Sequence, residues 1–350
     1  MIKFDFVIGN PPYQEDLEGT SRYAPSIFND FMDASYKIAD KVEMITPAKF
    51  LFNAGSTPKA WNKKMLNDQH FKVLMYEPDA SKVFPSQSFS GGVAIHYRDE
   101  NKSYGAIKFF AVNDLVGSIV QKTKSLEGFE SIQGEIYIQN NFNLKALYSD
   151  FPGSKSLVGS SGKDSRIRPY YLSTMGFIFS EKGDLTTGIK VCGLVDRKRE
   201  YRYIDRKYIN NIDNSNIDSY KVMLSAADGA SGTIGNPIPA RLIGTPTVEE
   251  KGVGCSKTFF SIGSFDERID AENLKKYLCC KFTRILVGSL KSTNSLKENV
   301  WANVPIQNFT SSSDIDWSKP IPEIDLQLYR KYNLSDEEIA FIESHVKEME

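Results

Sequence analysis

The chain has 350 residues, of which 41% are hydrophobic and 25% charged, and its formal net charge is −1. This composition indicates a globular protein long enough for two domains, and the near-neutral charge excludes a generally basic nucleic-acid coat protein but not DNA binding through one local cleft. No apolar run approaches the ~20 residues of a membrane helix and no targeting peptide is evident, so we expect a cytoplasmic protein without a membrane partner.

The cysteines and histidines show no spacing typical of a metal site. No pair of cysteines is separated by two residues, and the histidines are scattered along the chain. We therefore expect free, mostly buried thiols and no bound metal. The residues concerned are Cys192, Cys255, Cys279, Cys280, His70, His96 and His345.

The first third of the chain alternates predicted strands with predicted helices, which is typical of a doubly wound α/β sheet. The run 4–9 is apolar with little alternation, so it predicts a central strand covered on both faces. The last two strands lack a helix between them and predict an antiparallel end. In chain order we predict a strand at 4–9, a helix at 24–38, a strand at 42–46, a helix at 58–68 and strands at 71–76 and 92–97.

The pattern changes after residue 112, and we predict one domain over 1–112 and a second, irregular α+β domain over 113–350. Short strands are predicted at 135–138 and 176–179, and a long helix at 271–290. Ser335 and Glu338 have the spacing of a capping box at the start of a last helix.

The residues Asn10-Pro11-Pro12-Tyr13 directly follow the first predicted strand. The Asn10 amide oxygen and the Pro11 carbonyl could accept the two hydrogens of an exocyclic adenine amine and so free its lone pair for attack on a methyl group. Tandem prolines hold such a corner rigid, and Tyr13 offers a flat face for an extruded base. The alternative is an ordinary turn that ends a strand.

With this motif the sequence resembles the gamma class of N6-adenine DNA methyltransferases, and within it the large Type IIG restriction–modification enzymes. Three further segments match in order: 42–51, 82–85 and 91–97. The resemblance implies the second half of a doubly wound methyltransferase sheet, with Asn10, Pro11, Pro12 and Tyr13 catalytic and Phe84 stacking on the adenine opposite Tyr13. For Phe84 the alternative is a buried loop aromatic.

Beyond the first domain, segments 221–224, 270–278 and 324–329 resemble the target-recognition domain of the family. The resemblance therefore implies that residues 113–350 recognise a site on double-stranded DNA, with S-adenosylmethionine as the methyl donor of the intact enzyme.

The sequence departs from the family in one respect, because the donor-binding glycine loop should precede the first strand by well over fifty residues. A donor-binding loop follows a strand and opens a helix. Neither of the glycine-rich stretches 229–232 and 252–254 is predicted in that position, so neither can replace the missing loop. We expect a fragment, a truncated product or half of a split enzyme, with doubtful donor binding. Strand 4–9 then becomes an exposed edge that a second copy, a partner subunit or a local rearrangement covers.

Two basic clusters are candidates for DNA contacts, because arginine binds guanine edges and lysine neutralises phosphates. The alternative is a solvated charged surface with compensating acidic residues. The candidates are Arg166 and Arg168 in one cluster, and Arg197, Lys198, Arg199 and Arg202 in the other.

Site-specific adenine N6 methylation in a restriction–modification system is the interpretation that fits these features best, although this chain alone would be inactive or weak. One alternative is a DNA-binding specificity module whose partner supplies the donor pocket. Another is a protein glutamine methyltransferase, which uses the same four-residue motif. The long second region argues against the latter.

Overall fold

A computed structural model describes residues 3–15, 24–85, 91–111, 113–158, 165–210 and 215–349 of the chain. The predicted boundary at residue 112 lies outside these ranges. Within them the protein is a mixed α/β structure with several sheets. No helix in these ranges combines the length and the apolar character that crossing a bilayer requires.

The first sheet has the strand order β1-β2-β4-β3. β1 runs parallel to β2, while β4 pairs antiparallel with both β2 and β3. The predicted alternation of strands and helices and the predicted antiparallel end are therefore confirmed. The elements are β1 (Phe4–Gly9), α1 (Phe28–Ile38), β2 (Ala39–Pro47), α2 (Lys59–Asn67), β3 (Phe71–Glu77) and β4 (Val93–Asp99).

Helices α1 and α2 cover the same face of this sheet. Alternate β2 residues such as Val42 and Met44 are buried, and Phe28 of α1 meets Trp61 of α2 edge-on, with ring centroids 6.1 Å apart. Such alternation follows from the two-residue period of a strand.

β1 lies at the edge of the sheet, and the prediction that both of its faces are covered is wrong. Phe4, Phe6 and Ile8 are 53%, 44% and 71% exposed, and the ring centroid of Phe6 lies 6.2 Å from that of Tyr97 on β4. These three alternate residues share one face of β1, whereas Val7 on the other face packs against the core under the sheet. No strand of the described ranges pairs with the outer edge of β1. The exposed edge predicted for strand 4–9 is therefore present.

The described residues beyond β4 form three further sheets, with the orders β11-β10-β13-β5, β12-β7-β8 and β6-β9. Helices α7–α10 and α3 surround the largest apolar core, which includes Trp301, Leu328 and Ile342. A second core lies beneath β7 and β8. The elements are α3 (Asp114–Ser125), β5 (Ile136–Tyr137), β6 (Asn141–Phe142), α4 (Leu144–Asp150), α5 (Ser154–Val158), α6 (Tyr171–Thr174), β7 (Gly188–Val195), β8 (Lys198–Asp205), β9 (Ile209–Asn210), β10 (Tyr220–Ser225), β11 (Thr247–Glu249), β12 (Val253–Cys255), β13 (Phe259–Phe265), α7 (Arg268–Cys279), α8 (Lys281–Gly288), α9 (Ile321–Lys331) and α10 (Asp336–His345).

Two predicted elements differ from the structure. The helix predicted at 271–290 is broken at Cys280, because the buried carboxylate of Asp325 accepts hydrogen bonds from the backbone amides of Lys281 and Phe282, each at 2.9 Å, and so caps α8. The prediction of a strand at 176–179 is wrong. Those residues form a turn that follows α6, closed by the amide of Phe179 on the Met175 carbonyl at 3.0 Å.

Two local predictions are confirmed. Ser335 and Glu338 form the capping box of α10, with reciprocal bonds of 3.3 and 2.7 Å. All four cysteines are buried and form no disulfide.

His96 of β4 links stability to pH. Its Nε2 lies 3.1 Å from Thr46 Oγ1 in the core, and burial lowers the pKa of His96 from 6.5 to about 3. Because the unfolded chain binds this proton at its usual pKa and the folded chain does not, stability is lost as pH falls below 6.5.

We expect His96→Gln, which keeps a polar group facing Thr46 but cannot titrate, to reduce this pH dependence. Between pH 6 and pH 4.5 the slope of the unfolding free energy should be smaller than in the native chain by up to about 1.4 kcal/mol per pH unit. Urea unfolding at several pH values measures this slope, and identical slopes for the two proteins would contradict the assignment.

Candidate active site at the carboxyl edge of the first sheet

The strand directions bring three loops to one edge of the first sheet. Gly9 at the end of β1 pairs with Met44, near the end of β2, and Val93 at the start of β4 pairs with both Pro47 and Glu77, the last residues of β2 and β3. The loops after β1, β2 and β3 therefore leave the sheet at the same edge. In open α/β sheets this carboxyl edge is where ligands bind.

The loop after β1 presents Asn10 to solvent. Asn10 and Pro12 are exposed, whereas Pro11 and Tyr13 are half-buried. The backbone carbonyl of Tyr13 accepts a hydrogen bond from the amide of Ile27 at 3.3 Å. The corner is thus tied to the segment that leads into α1, and the Asn10 amide is held at its tip.

The Tyr13 side chain packs at the border of the apolar core under the sheet. Burial raises the pKa of its hydroxyl, so the ring carries a neutral hydroxyl across the physiological range. Tyr13 is therefore positioned by packing and remains only partly exposed.

Phe84 lies in the loop after β3, just beyond a short 3₁₀ helix at Ala80–Lys82. Its amide donates to the Ala80 carbonyl at 2.8 Å, which closes this turn, and its side chain is half-buried. The sheet topology places Phe84 and Tyr13 on loops at the same edge. A base-stacking pair formed by these two rings stays a prediction.

Lys49 is a residue at this edge that the sequence analysis did not identify as a site residue. It follows the end of β2, and two glycines make room for its stem: a Cβ on Gly91, whose φ is +94°, would lie 2.5 Å from Lys49 Cγ, and one on Gly55 would lie 2.9 Å from Lys49 Cβ. Burial lowers the pKa of Lys49. In the sequence, the run Pro47-Ala48-Lys49 at the end of β2 was the feature that could have identified Lys49.

The candidate DNA-contact residues of the second cluster lie on the β7–β8 hairpin, in a different sheet from Asn10. Arg197 and Lys198 are exposed at its turn, where Asp196 and Arg197 have φ of 49° and 64°. Arg199 donates to Thr247 Oγ1 at 2.7 Å.

Other contacts on the hairpin are structural as well. The Arg199 guanidinium stacks over the Phe259 ring at 4.7 Å. Arg202 lies 3.3 Å from Glu200 and 3.7 Å from Glu181. Arg199 and Arg202 therefore have structural contacts that Arg197 and Lys198 lack.

Arg166 and Arg168 flank Ile167, which is fully buried. The backbone here bridges two segments, since the Ile167 amide donates to Asn140 at 3.1 Å and its carbonyl accepts from Lys257 at 2.8 Å. Both arginines are half-buried, and Arg166 lines an open cleft in the second region of the chain.

The glycine-rich stretches do not form a donor-binding loop. Gly229–Ser231 is a short 3₁₀ helix, and residues 252–254 form a turn that leads into β12. Neither connects a strand to an α-helix, which is the geometry that cradles a nucleotide-like ligand. These two stretches therefore do not fit the donor S-adenosylmethionine.

Three comparisons with known proteins bear on this site. Residues 1–84 match the family described as Eco57I restriction-modification methylase. A protein of Mycoplasma pneumoniae described as an uncharacterized adenine-specific methylase is 31% identical over 96 residues, which is 27% of this chain and 23% of that protein. The chain thus matches about a quarter of this relative's length.

The third comparison is with a solved structure, that of the Type IIL restriction-modification enzyme MmeI in complex with DNA. The superposition covers 97% of this chain and 56% of that chain, with a TM-score of 0.40 and 10% identity. This similarity is too low to establish a shared fold.

The structure separates the roles of Asn10 and Tyr13 in stability. We expect Asn10→Ala to change the unfolding free energy by less than about 0.5 kcal/mol, because the side chain is exposed. Tyr13→Ala should cost roughly 1–2 kcal/mol through lost packing of a half-buried ring. Thermal or urea unfolding measures both, and a large cost for Asn10→Ala would show that the residue is part of the packing instead.

Proposed function

We propose that the chain carries the acceptor side of a site-specific adenine N6 DNA methyltransferase, a proposal supported by the match of residues 1–84 to the Eco57I restriction-modification methylase family. The observation that carries the proposal is the exposed Asn10 amide at the end of β1, on the edge where the loops after β2 and β3 also emerge. Such an edge can receive a base swung out of a duplex.

The proposed chemistry uses groups of the Asn10–Tyr13 corner. The Asn10 Oδ1 and the Pro11 carbonyl accept the two hydrogens of the adenine amine, which draws the nitrogen toward tetrahedral geometry and exposes its lone pair. Tyr13 and Phe84 hold the base from its two faces. S-adenosylmethionine, when bound, supplies the methyl group. Because the corner is fixed by its prolines and by the Ile27–Tyr13 bond, little orientational freedom is lost on binding.

The donor has to lie beside Asn10, and β1 leaves one side open for it. β2 occupies the inner edge of β1, whereas its outer edge is unpaired within the described ranges. We therefore propose that a donor-binding polypeptide segment pairs with the outer edge of β1 and also packs over the face of the sheet that carries Phe4, Phe6 and Ile8. A strand on that side ends next to Asn10, within reach of the amine.

The DNA contacts of the proposal include Arg197 and Lys198 at the exposed hairpin turn and Arg166 and Arg168 in the second region. Exposed cations neutralise phosphates, which positions a duplex without reading its sequence. Arg199 and Arg202 hold the hairpin in shape and contribute to DNA binding through it.

One alternative has a specific observation in its favour. The glycine stretches of the described residues do not fit the donor, so the chain could serve as a specificity module whose partner carries out the transfer. Calorimetric titration with S-adenosylmethionine distinguishes the two, since the enzyme interpretation requires measurable donor affinity in the intact assembly.

We expect Asn10→Ala, introduced into the gene in its own host, to abolish N6-methyladenine at one sequence motif of the genomic DNA. Single-molecule sequencing reads this modification directly. The matched control is Asn101→Ala, an exposed asparagine beyond the end of β4 at the opposite edge of the same sheet, and it should leave methylation unchanged. An unchanged pattern in Asn10→Ala, or no modified motif in the native strain, would refute the proposed activity.

Hydrogen exchange tests the proposed pairing of β1. The amides of residues 4–9 that are not bonded to β2 should exchange within seconds in the isolated chain and at least about 100-fold more slowly in the assembly that binds donor. Fast exchange in a donor-binding assembly would contradict the pairing. Slow exchange of these amides in a monomer of this chain would also contradict the proposed pairing.

A further inference from the structure

A second concave site lies away from the first sheet, in a cleft of about 770 Å³ between the segments around β5, β6, the start of β13 and residues 296–299. Its walls carry an unusual share of carboxamide side chains: Gln133, Gln139, Asn141 and Asn299. Carboxamides offer both a donor and an acceptor, which suits the recognition of a planar polar ligand.

The side chain of Asn141 differs from that of its neighbour in its hydrogen bonds. Asn140, the neighbour of Asn141, is engaged, since its Oδ1 accepts from the Cys255 amide at 2.8 Å. The Oδ1 of Asn141 is buried and takes no hydrogen bond from a described residue. This oxygen therefore has unused acceptor capacity beside the cleft.

Ile138 adds an apolar contact to the same wall. Ile138 is 55% exposed and lines the cleft together with the amides Gln133 and Gln139. A large exposed apolar side chain beside amides in a cleft of mixed polarity is suited to a methyl group or an aromatic edge of a ligand.

The rim of the cleft carries cations that lack ion-pair partners. Lys257 and Lys297 are exposed, and neither forms an ion pair with a described residue. Burial lowers the pKa of Lys59, and the positive charge of Lys297 lowers it further. Lys59 begins α2, so the rim at Lys297 lies close to the part of the chain that carries the candidate active site.

We propose that this cleft, rather than the β7–β8 hairpin, reads the base sequence of the DNA target. The inference rests on the proposed function. Glutamine and asparagine pair with adenine edges, and Ile138 can contact a thymine methyl group. Lys257 and Lys297 hold phosphates on either side of the bases that are read. The hairpin arginines Arg199 and Arg202, in contrast, are already bonded to the protein.

The test is selection of bound duplexes from a random-sequence DNA library by the full chain. We expect the Gln139→Ala/Asn299→Ala double variant to lose discrimination by about 10-fold at one or two positions of the selected motif. Its affinity for random duplex should change by less than about threefold. Gln69→Ala, an exposed glutamine outside the cleft, is the matched control and should select the native motif.

The lysines are tested by the salt dependence of binding to one duplex. Lys257→Ala/Lys297→Ala should weaken binding to all sequences alike and reduce the slope of log affinity against log salt by about 2. Lys347→Ala, an exposed lysine outside the cleft, should leave the slope unchanged.

The possible outcomes separate this inference from the proposed function. If the native chain selects a motif and only Arg197→Ala/Lys198→Ala relaxes it, the hairpin reads the sequence and the cleft does not. Binding to DNA without any preference would also overturn the inference. If the native chain binds no duplex DNA, the DNA-binding part of the proposed function fails with it.

Discussion

The parallel pairing of β1 with β2, from Phe4 opposite Ala39 to Gly9 opposite Met44, is the constraint on which the rest depends. It fixes the direction of β1, and so it decides which edge of the sheet Asn10 occupies. Pro11 and Pro12 then stop the strand at that edge, because proline cannot continue a ladder of backbone hydrogen bonds. The same register brings the Phe84 loop to the edge through β4 and β3.

The pairing also has a cost. An edge strand exposes backbone donors and acceptors, and β1 also carries three large exposed apolar side chains on the face of the sheet opposite Val7 and the core. Burying Phe4, Phe6 and Ile8 against another segment would stabilise the contact by several kcal/mol at about 25 cal/mol per Å². The surface that most favours association therefore lies immediately beside the amide proposed to bind the adenine amine, which links assembly to activity in this interpretation.

Basic residues in this chain divide into those that build the fold and those that face solvent. Lys221 donates to the carbonyls of Asn216, Ile217 and Ser219 within 2.9 Å, and burial lowers its pKa to about 7. Lys291 likewise bonds backbone and hydroxyl oxygens, and burial lowers its pKa to about 8. A near-neutral chain can thus present a locally positive cleft, because Lys257 and Lys297 at its rim are exposed and form no ion pair with a described residue.

The sequence by itself determined the features that depend on neighbouring residues. These are the strand that ends in Asn10-Pro11, the order of strands and helices up to β4, and the capping box of Ser335, since each rests on backbone preferences or bonds spanning a few positions. The family resemblance carried by residues 1–84 also came from local motifs.

Only the tertiary structure decided the features that depend on residues far apart in the chain. The break at Cys280 is set by Asp325, 44 residues beyond the amide of Lys281. The exposure of β1 depends on which segments pack beside it. The hydrogen bonds and ion pairs of the amides and lysines in the cleft depend on which polar partners the fold brings near. Such contacts have no sequence period, because they arise from the packing of separate elements.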